Sequence, residues 1–426
     1  MAFPIAKPPS KILLVRFSAL GDVIQTLPIL TMLREGFPEA KLGWAIDTEL
    51  APAIEGHPAL DYIHRCSRNG WKQAAFRMSR WPAIAREFTA LVKEIRSVGY
   101  DVSIDVQGLF KTALLAYVAG IRRRIGYAHG REFSSLFYTE KYLDSRAYFD
   151  PTVFHLEHMV GLVRMLDHHR GEYQAAPSAP NPAPAGCADK TGAPWWPRRA
   201  TEVTYKVWPP ALPEPLRQSA AEVLKQAFAE SSPVVAMAPA TQWKSKCWPE
   251  DYWTTLIQQV LARTNLNVLL MGSSADAPLA EHILSAFEPG QLRRRVCNLF
   301  GKAPIQEMYA LYEQVQAAVG PDSAPLHVAG AMGVAVLIGI YGPTGYRRTP
   351  PLGSRHVKLL TTEGQLSCQP CHERICPLGT DECMKRIRPD DVFYALLEGL
   401  TEARIEFMSD GASRDPQRVP LLHSLG

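Results

Sequence analysis

Asp22, Lys246 and Asp322 are the residues whose neighbours best equip them for chemistry. Asp22 closes Ser18-Ala19-Leu20-Gly21-Asp22, after the apolar run Ile12 to Val15 and before Val23, Ile24, Leu27, Leu30 and Leu33 at helical spacing. A carboxylate there lies at a strand's carboxyl end and in a helix's first turn, where it either takes a proton from a ligand or only caps the helix. Lys246, with Thr241 upstream, precedes Trp248-Pro249-Glu250, which reads as a helix start. Proline suits the first turn, acids suit its dipole, and an anion there meets free backbone N–H groups. Asp276 ends the turn after the apolar run Asn267 to Met271, and Asp322-Ser323 follows the run Ala317 to Val319. These strand-end loops together make a plausible diphosphate-and-ribose site. Neither G-x-x-x-x-G-K-[ST] nor a strand-linked G-x-G-x-x-G occurs, which argues against a P-loop NTPase and a dinucleotide dehydrogenase.

Gln107 and Lys111 sit at another strand end, after Asp101 to Val106. The basic run Arg122 to Arg124 and the pair Arg131-Glu132 follow, and a role in binding an acidic substrate competes with a plain solvated face. Cys368, Cys371, Cys376 and Cys383 are spaced C-x2-C-x4-C-x6-C, which either holds a structural zinc or leaves four thiols in a compact loop. His155 and His158 lack a nearby acid or cysteine partner in sequence and read as packing or surface residues.

The elements that position these residues alternate strand and helix, which predicts parallel sheets with right-handed crossovers. Strands are expected at Ile12 to Val15, Leu42 to Ile46 and Asp101 to Val106, then at Pro233 to Ala238, Asn267 to Met271, Ala317 to Val319 and, last, Val334 to Ile340. The 426 residues suit two domains. We place an N-terminal domain at 11–173, a Pro/Ala-rich linker at 174–200, a C-terminal domain at 201–400 and a tail at 401–426. Hydrophobic content of 46% with 21% charged residues is that of a soluble globular protein, and a net charge of +4 is too mild to imply nucleic acid. No signal peptide or membrane span is read, so a cytosolic protein with mostly reduced cysteines is expected. His64 to Tyr100 carries eight Lys or Arg against Glu87 and Glu94, with Trp71, Phe76, Met78 and Trp81 interleaved. Such a segment suits an anionic membrane face or a phosphorylated acceptor, and equally a solvated helix packing its aromatic residues inward.

The stretches SALGDVIQTLP, IDVQGLFKTA, REFSSLFY, Lys246 to Glu250 (K-x-W-P-E), GPDSAPLHVAGAMG and IYGPT resemble the lipopolysaccharide heptosyltransferases of glycosyltransferase family nine. The resemblance runs from about Lys11 to Glu398, outside the linker; IDVQGL and REFSSLFY are most similar to heptosyltransferase I, while the cysteine cluster and CMKRIRPDDV are similar to other branches. It implies an α/β GT-B fold, two doubly wound Rossmann-like domains facing across a cleft, with the last helix returning to the first domain. It implies an inverting transfer without a metal cofactor, from ADP-heptose to the Kdo of lipid A, by a monomer at the inner face of the cytoplasmic membrane. Asp22 matches the catalytic aspartate and Lys246 the motif lysine. The donor set is then Thr241, Lys246, Asp276, Asp322, Ser323, Ala324 and His327, and the acceptor set Ser18, Gly21, Gln107, Lys111, Arg131 and Glu132. Two departures stand out: Ala324 replaces a common glycine, and Ala240 a common hydroxyl residue. Alternatives are a family member with another donor sugar or a protein acceptor, and a catalytically idle nucleotide-sugar-binding protein.

Overall fold

The computed structural model describes residues 8–67, 81–143, 154–167, 173–174, 205–228, 232–288, 290, 293–409 and 421–425. The chain divides into two compact units between Ala211 and Leu212. The division falls beyond Thr201 because the intervening segment is tied to the first unit: Lys206 Nζ lies 3.0 Å from Glu35, and Ala211 N donates to Gly56 O at 3.0 Å. Most of the expected linker, and Arg68 to Arg80 of the basic segment, lie outside the described residues.

In the first unit, β1 (Lys11–Val15), β2 (Lys41–Asp47), β3 (Tyr62–Cys66), β4 (Val102–Asp105), β5 (Arg123–Tyr127), β6 (Glu140–Leu143) and β7 (Tyr173–Gln174) form one parallel sheet in the order β3-β2-β1-β4-β5-β6-β7. The second unit restates that order with β8 (Val234–Met237), β9 (Asn267–Leu270), β10 (Val296–Asn298), β11 (Ala317–Pro321), β12 (Val336–Tyr341), β13 (His356–Thr361) and β14 (Leu421–Leu425), arranged β10-β9-β8-β11-β12-β13-β14. Here only the last pair is antiparallel. In each sheet the first strand is central and the order reverses beside it, which is the switch point where ligands bind in doubly wound folds. Leu13, Val15, Ala45, Leu91 and Ile95 belong to the first unit's core; Met237, Trp248, Trp253, Leu256 and Phe393 belong to the second's.

Val336–Tyr341 is not the last strand, as β13 and β14 follow it. β13 escapes a hydrophobic pattern search because Lys358 stands within it, 3% exposed, its ammonium 2.6 Å from Glu402 and 3.4 Å from Glu398. β5 escapes for the same reason. Arg123 and Arg124 open that strand, so they lie at its amino end, away from the ligand edge. Arg123 pairs with buried Glu140 at 2.7 Å, and Arg124 Nε donates to Phe137 O at 2.6 Å. Arg123 and Arg124 are therefore mainly structural, while Arg122 is exposed. The helix Pro389–Glu402 packs on the helix Glu250–Arg263 and on β12 and β13. Val392, Phe393, Leu396 and Leu400 bury its apolar face in the second unit's core. Among the described residues, no helix is long and apolar enough to cross a membrane.

Candidate active site

The first unit builds a carboxylate on a fixed base. Beyond β1 the chain stays in register: Arg16 N donates to Ala45 O at 3.1 Å, and Trp44 Nε1 donates to Arg16 O at 3.0 Å. The guanidinium is buried, with Nη1 donating to Val106 O at 3.0 Å and Nη2 lying 2.8 Å from Asp22 Oδ2. Asp22 is in the first turn of the helix Leu20–Gly36, and its side chain is 47% exposed. Desolvation pushes its pKa up, but Arg16, then His155, and the Ala19 N–H outweigh that and hold it below the usual carboxylate value. The Ala19 amide donates to Asp22 Oδ2 at 3.3 Å, so Asp22 does cap its helix while keeping an open face.

A second loop meets this one. Buried Asp105 accepts bonds from Gln107 N and Gly108 N, both at 2.9 Å, and from Tyr138 Oη at 2.7 Å. Burial nevertheless raises its pKa. Gly108 adopts φ 68°, and a Cβ there would stand 3.0 Å from the Tyr127 ring, so only glycine suits the turn. The loop points Gln107 at the Ser18 turn: Oε1 accepts from Phe17 N at 2.7 Å, and Nε2 donates to Ser18 O at 3.3 Å and lies 3.4 Å from Ser18 Oγ. Arg131 N donates to Gly108 O at 2.9 Å. Ser18, Gln107, Arg131 and the Gly21-Asp22 turn thus belong to one connected edge, with Lys111 in the first turn of the helix Phe110–Val118 and Glu132 beside Arg131.

The second unit builds a cation. Lys246 ends a short turn after β8, and its Nζ lies over the Trp243 ring, 4.6 Å from the centroid. It donates to Asp322 Oδ2 at 2.7 Å and to Asp322 O at 3.1 Å. Thr344 Oγ1 donates to the same Oδ2 at 2.7 Å, and His327 Nε2 lies 3.1 Å from Oδ1. Burial pushes the Asp322 pKa up, but Lys246 and His327 hold it far below the ordinary carboxylate value. With both oxygens engaged, Asp322 is a holder of Lys246 and His327. Ser323 precedes the helix Ala324–Ala331, and among the described residues its buried Oγ has no hydrogen-bond partner. Thr241 is half-buried on the loop leading to the lysine turn. Asp276 accepts from Ser273 Oγ at 2.5 Å, and after burial its charge contributes to raising the pKa of the Cys247 thiol, the residue following Lys246.

The four late cysteines line one cavity with Ser245, Pro343 and Gln369. Their loop supports the lysine turn: Ser245 N donates to Arg374 O at 3.1 Å, and Ser245 Oγ donates to Glu373 O at 2.5 Å. Among the described residues no three His, Cys, Asp or Glu side chains form a group that could hold a metal ion.

Sequence reasoning overlooked Arg16 and Thr344. A lone arginine closing an apolar strand two residues before Ser18 was a readable signal for the first. Thr344 sits in a turn whose partner is 22 positions away, so nothing local pointed to it.

Two doubly wound sheets, with a carboxylate at the carboxyl edge of one and a lysine and a helix N-terminus at that of the other, define a GT-B glycosyltransferase. The family model for glycosyltransferase family 9 (heptosyltransferase) matches residues 88–176 and 199–380, and the chain belongs to that family. The chain is 25% identical over 372 residues to lipopolysaccharide heptosyltransferase 1 of Pseudomonas aeruginosa, covering 86% of this chain and 87% of that protein. It is 24% identical to lipopolysaccharide heptosyltransferase 1 of Salmonella typhimurium, over 78% of this chain and 89% of that one. Among solved structures, the ADP-heptose lps heptosyltransferase II of E. coli superposes with a TM-score of 0.66 at 20% identity, covering 92% of this chain and 99% of that one. The E. coli heptosyltransferase WaaC with ADP gives 0.61 at 19% identity, covering 91% and 99%.

Proposed function

We propose that this enzyme transfers heptose from ADP-L-glycero-D-manno-heptose to Kdo of the lipid A inner core of lipopolysaccharide, with inversion and without a metal cofactor. The observation that carries the reading is the held cation of the second unit: Lys246 fixed by Asp322 beside the unpartnered Ser323 Oγ at a helix N-terminus. Backbone N–H groups, a hydroxyl and an ammonium together suit a diphosphate. Thr241 adds a second hydroxyl on the same side of the sequence motif.

In the reaction a Kdo hydroxyl attacks the anomeric carbon, the C–O bond to ADP breaks, and Asp22 takes the hydroxyl proton. A carboxylate held ionised by Arg16 is a weak base toward a free alcohol, but the hydroxyl becomes acidic only as the new bond forms. Lys246 and the N-terminus of the helix Ala324–Ala331 offset the charge that develops on the leaving diphosphate. The relatives named lipopolysaccharide heptosyltransferase 1 support the acceptor, and the ADP in the WaaC structure's name supports the nucleotide. The enzyme works as a monomer on the inner face of the cytoplasmic membrane.

The test is incubation of purified protein with ADP-heptose and Kdo-lipid A, with and without EDTA. Mass spectrometry should find one added heptose, NMR should show inverted anomeric configuration, and EDTA should leave the rate unchanged. Product only with another sugar nucleotide would overturn the donor assignment. Ala324, whose methyl group replaces a common glycine at the helix start, is where such a difference would arise.

A further inference from the structure

We propose that the outer face of the helix Phe110–Val118, together with the turn Arg131–Phe137, docks on an anionic lipid bilayer; this rests on the reading of a lipid-anchored acceptor. Four large apolar side chains of these two elements are exposed: Phe110 at 41%, Tyr117 at 54%, Phe133 at 79% and Leu136 at 76%. The helix and the turn meet here, because the Phe137 ring makes edge contacts with both Phe110 and Tyr117, at centroid distances of 5.3 and 5.5 Å, and Phe133 and Leu136 belong to the same turn as Phe137. Four of the nine exposed large apolar side chains among the described residues fall on these two elements, and a clustered apolar surface marks an interaction site.

The backbone is committed to this display. Glu132 and Phe133 both have positive φ, 56° and 61°, which side chains other than glycine adopt at a cost. That strained pair places Phe133 in solvent, while Ser134, the buried residue of the turn, anchors it by donating to Gly108 O at 3.1 Å.

Charge selects the partner. Arg124 lies over the Tyr117 ring at 5.3 Å, Arg122 and Arg131 are exposed, and Glu132 is the one acid in the sequence between Arg122 and Phe137. A self-complementary dimer through this face would set arginine against arginine. An anionic headgroup layer satisfies the arginines and lets the aromatic rings settle at the boundary with the acyl chains. The surface also continues directly into the candidate acceptor edge, since the turn hangs from Gly108, one residue after Gln107. Docking there would bring a headgroup-linked sugar to the Ser18–Gln107 edge.

The experiment is co-sedimentation with vesicles of phosphatidylcholine alone or mixed with phosphatidylglycerol. The full chain is compared with the triple variant Tyr117→Ser, Phe133→Ser, Leu136→Ser and with Arg122→Gln. The changed side chains are exposed, and circular dichroism and melting temperature verify that each variant folds. Binding should require the anionic lipid; the triple variant should bind at least about tenfold more weakly and Arg122→Gln about fivefold. With acceptor presented in vesicles, the triple variant should show a raised KM; with acceptor dispersed in detergent, it should match the parent. Failure of transfer on every acceptor would strike the proposed reaction and leave the vesicle result to decide the docking. Parent-like vesicle binding by the triple variant, no binding by the parent, or a dimer abolished by the same substitutions would overturn the proposal.

Discussion

Arg16 and Asp22 face each other at 2.8 Å across the first turn of the chain's first helix, one buried and the other open to solvent. The arginine spends its second nitrogen on Val106 O, at 3.0 Å, so it is a fixed base on which the carboxylate is oriented. A freely moving surface pair would contribute little; a buried, hydrogen-bonded partner sets both the direction and the ionisation of Asp22.

Asp22→Asn should retain the fold and donor affinity while kcat falls by roughly 10²–10⁴-fold, the usual value of general-base assistance. Steady-state kinetics with ADP-heptose would show this, and a kcat within a few-fold of the parent would remove Asp22 from the chemistry.

Arg16→Gln should move the acid limb of the pH–rate profile upward. In the parent, the Asp22 pKa is held below the carboxylate norm, so its ionised form persists further into acid than that of an ordinary aspartate. Without the guanidinium, Asp22 protonates at higher pH and activity is lost earlier on acidification. A limb that stays in place would show that the pair does not govern the base.

Lys246→Met should raise the Kd for ADP and lower kcat together, because the charge acts on the bound and the breaking diphosphate alike. It also strands Asp322, so stability should fall by about 3–5 kcal/mol in urea titrations, and adding Asp322→Asn should restore part of that. Asp322 has a lowered pKa in the folded state, so its contribution is present above the unfolded value near 4 and is lost as pH falls through the folded value. Acid titration of the parent should therefore show a loss of stability below about pH 4 that the Asp322→Asn variant lacks in part.

Cys376 should alkylate well before Cys383. Backbone N–H groups of Asp381, Leu378 and Thr380 lower the Cys376 thiol's pKa, whereas burial and the neighbouring cysteines push Cys383 up to about 12. The thiolate is the reactive form, so mass spectrometry after brief iodoacetamide treatment near neutral pH should find Cys376 labelled first. Protection of all four thiols that a chelator relieves would instead reveal a metal site.

Gly108→Ala should destabilise the first unit by more than about 1 kcal/mol, since φ 68° and the Tyr127 ring both oppose a side chain there. Thermal melts would show it, together with a raised KM for the acceptor through the displaced Gln107.

The strands that carry the site were legible because they are short apolar runs ending in polar turns. β1, β4, β8 and β11 all read this way, and with them Asp22, Gln107, Lys246 and Asp322. β5 and β13 were not, because their charges are satisfied by partners distant in sequence. Lys358 needs Glu402, 44 positions on, and Arg123 needs Glu140 and the carbonyls of Met165 and Leu166. Periodicity reads burial from composition, so a buried charge looks like a surface one until the fold supplies its partner.

β14 pairs antiparallel along β13 from Val357–Leu425 to Thr361–Leu421. Without it, an apolar edge would present a row of unpaired backbone groups, a template for other chains. The chain's last few residues thus act as a selvedge. Truncations that stop after Glu402 would leave the catalytic elements whole and yet yield a protein that self-associates, and an affinity tag fused directly after Leu425 would compete for the same edge.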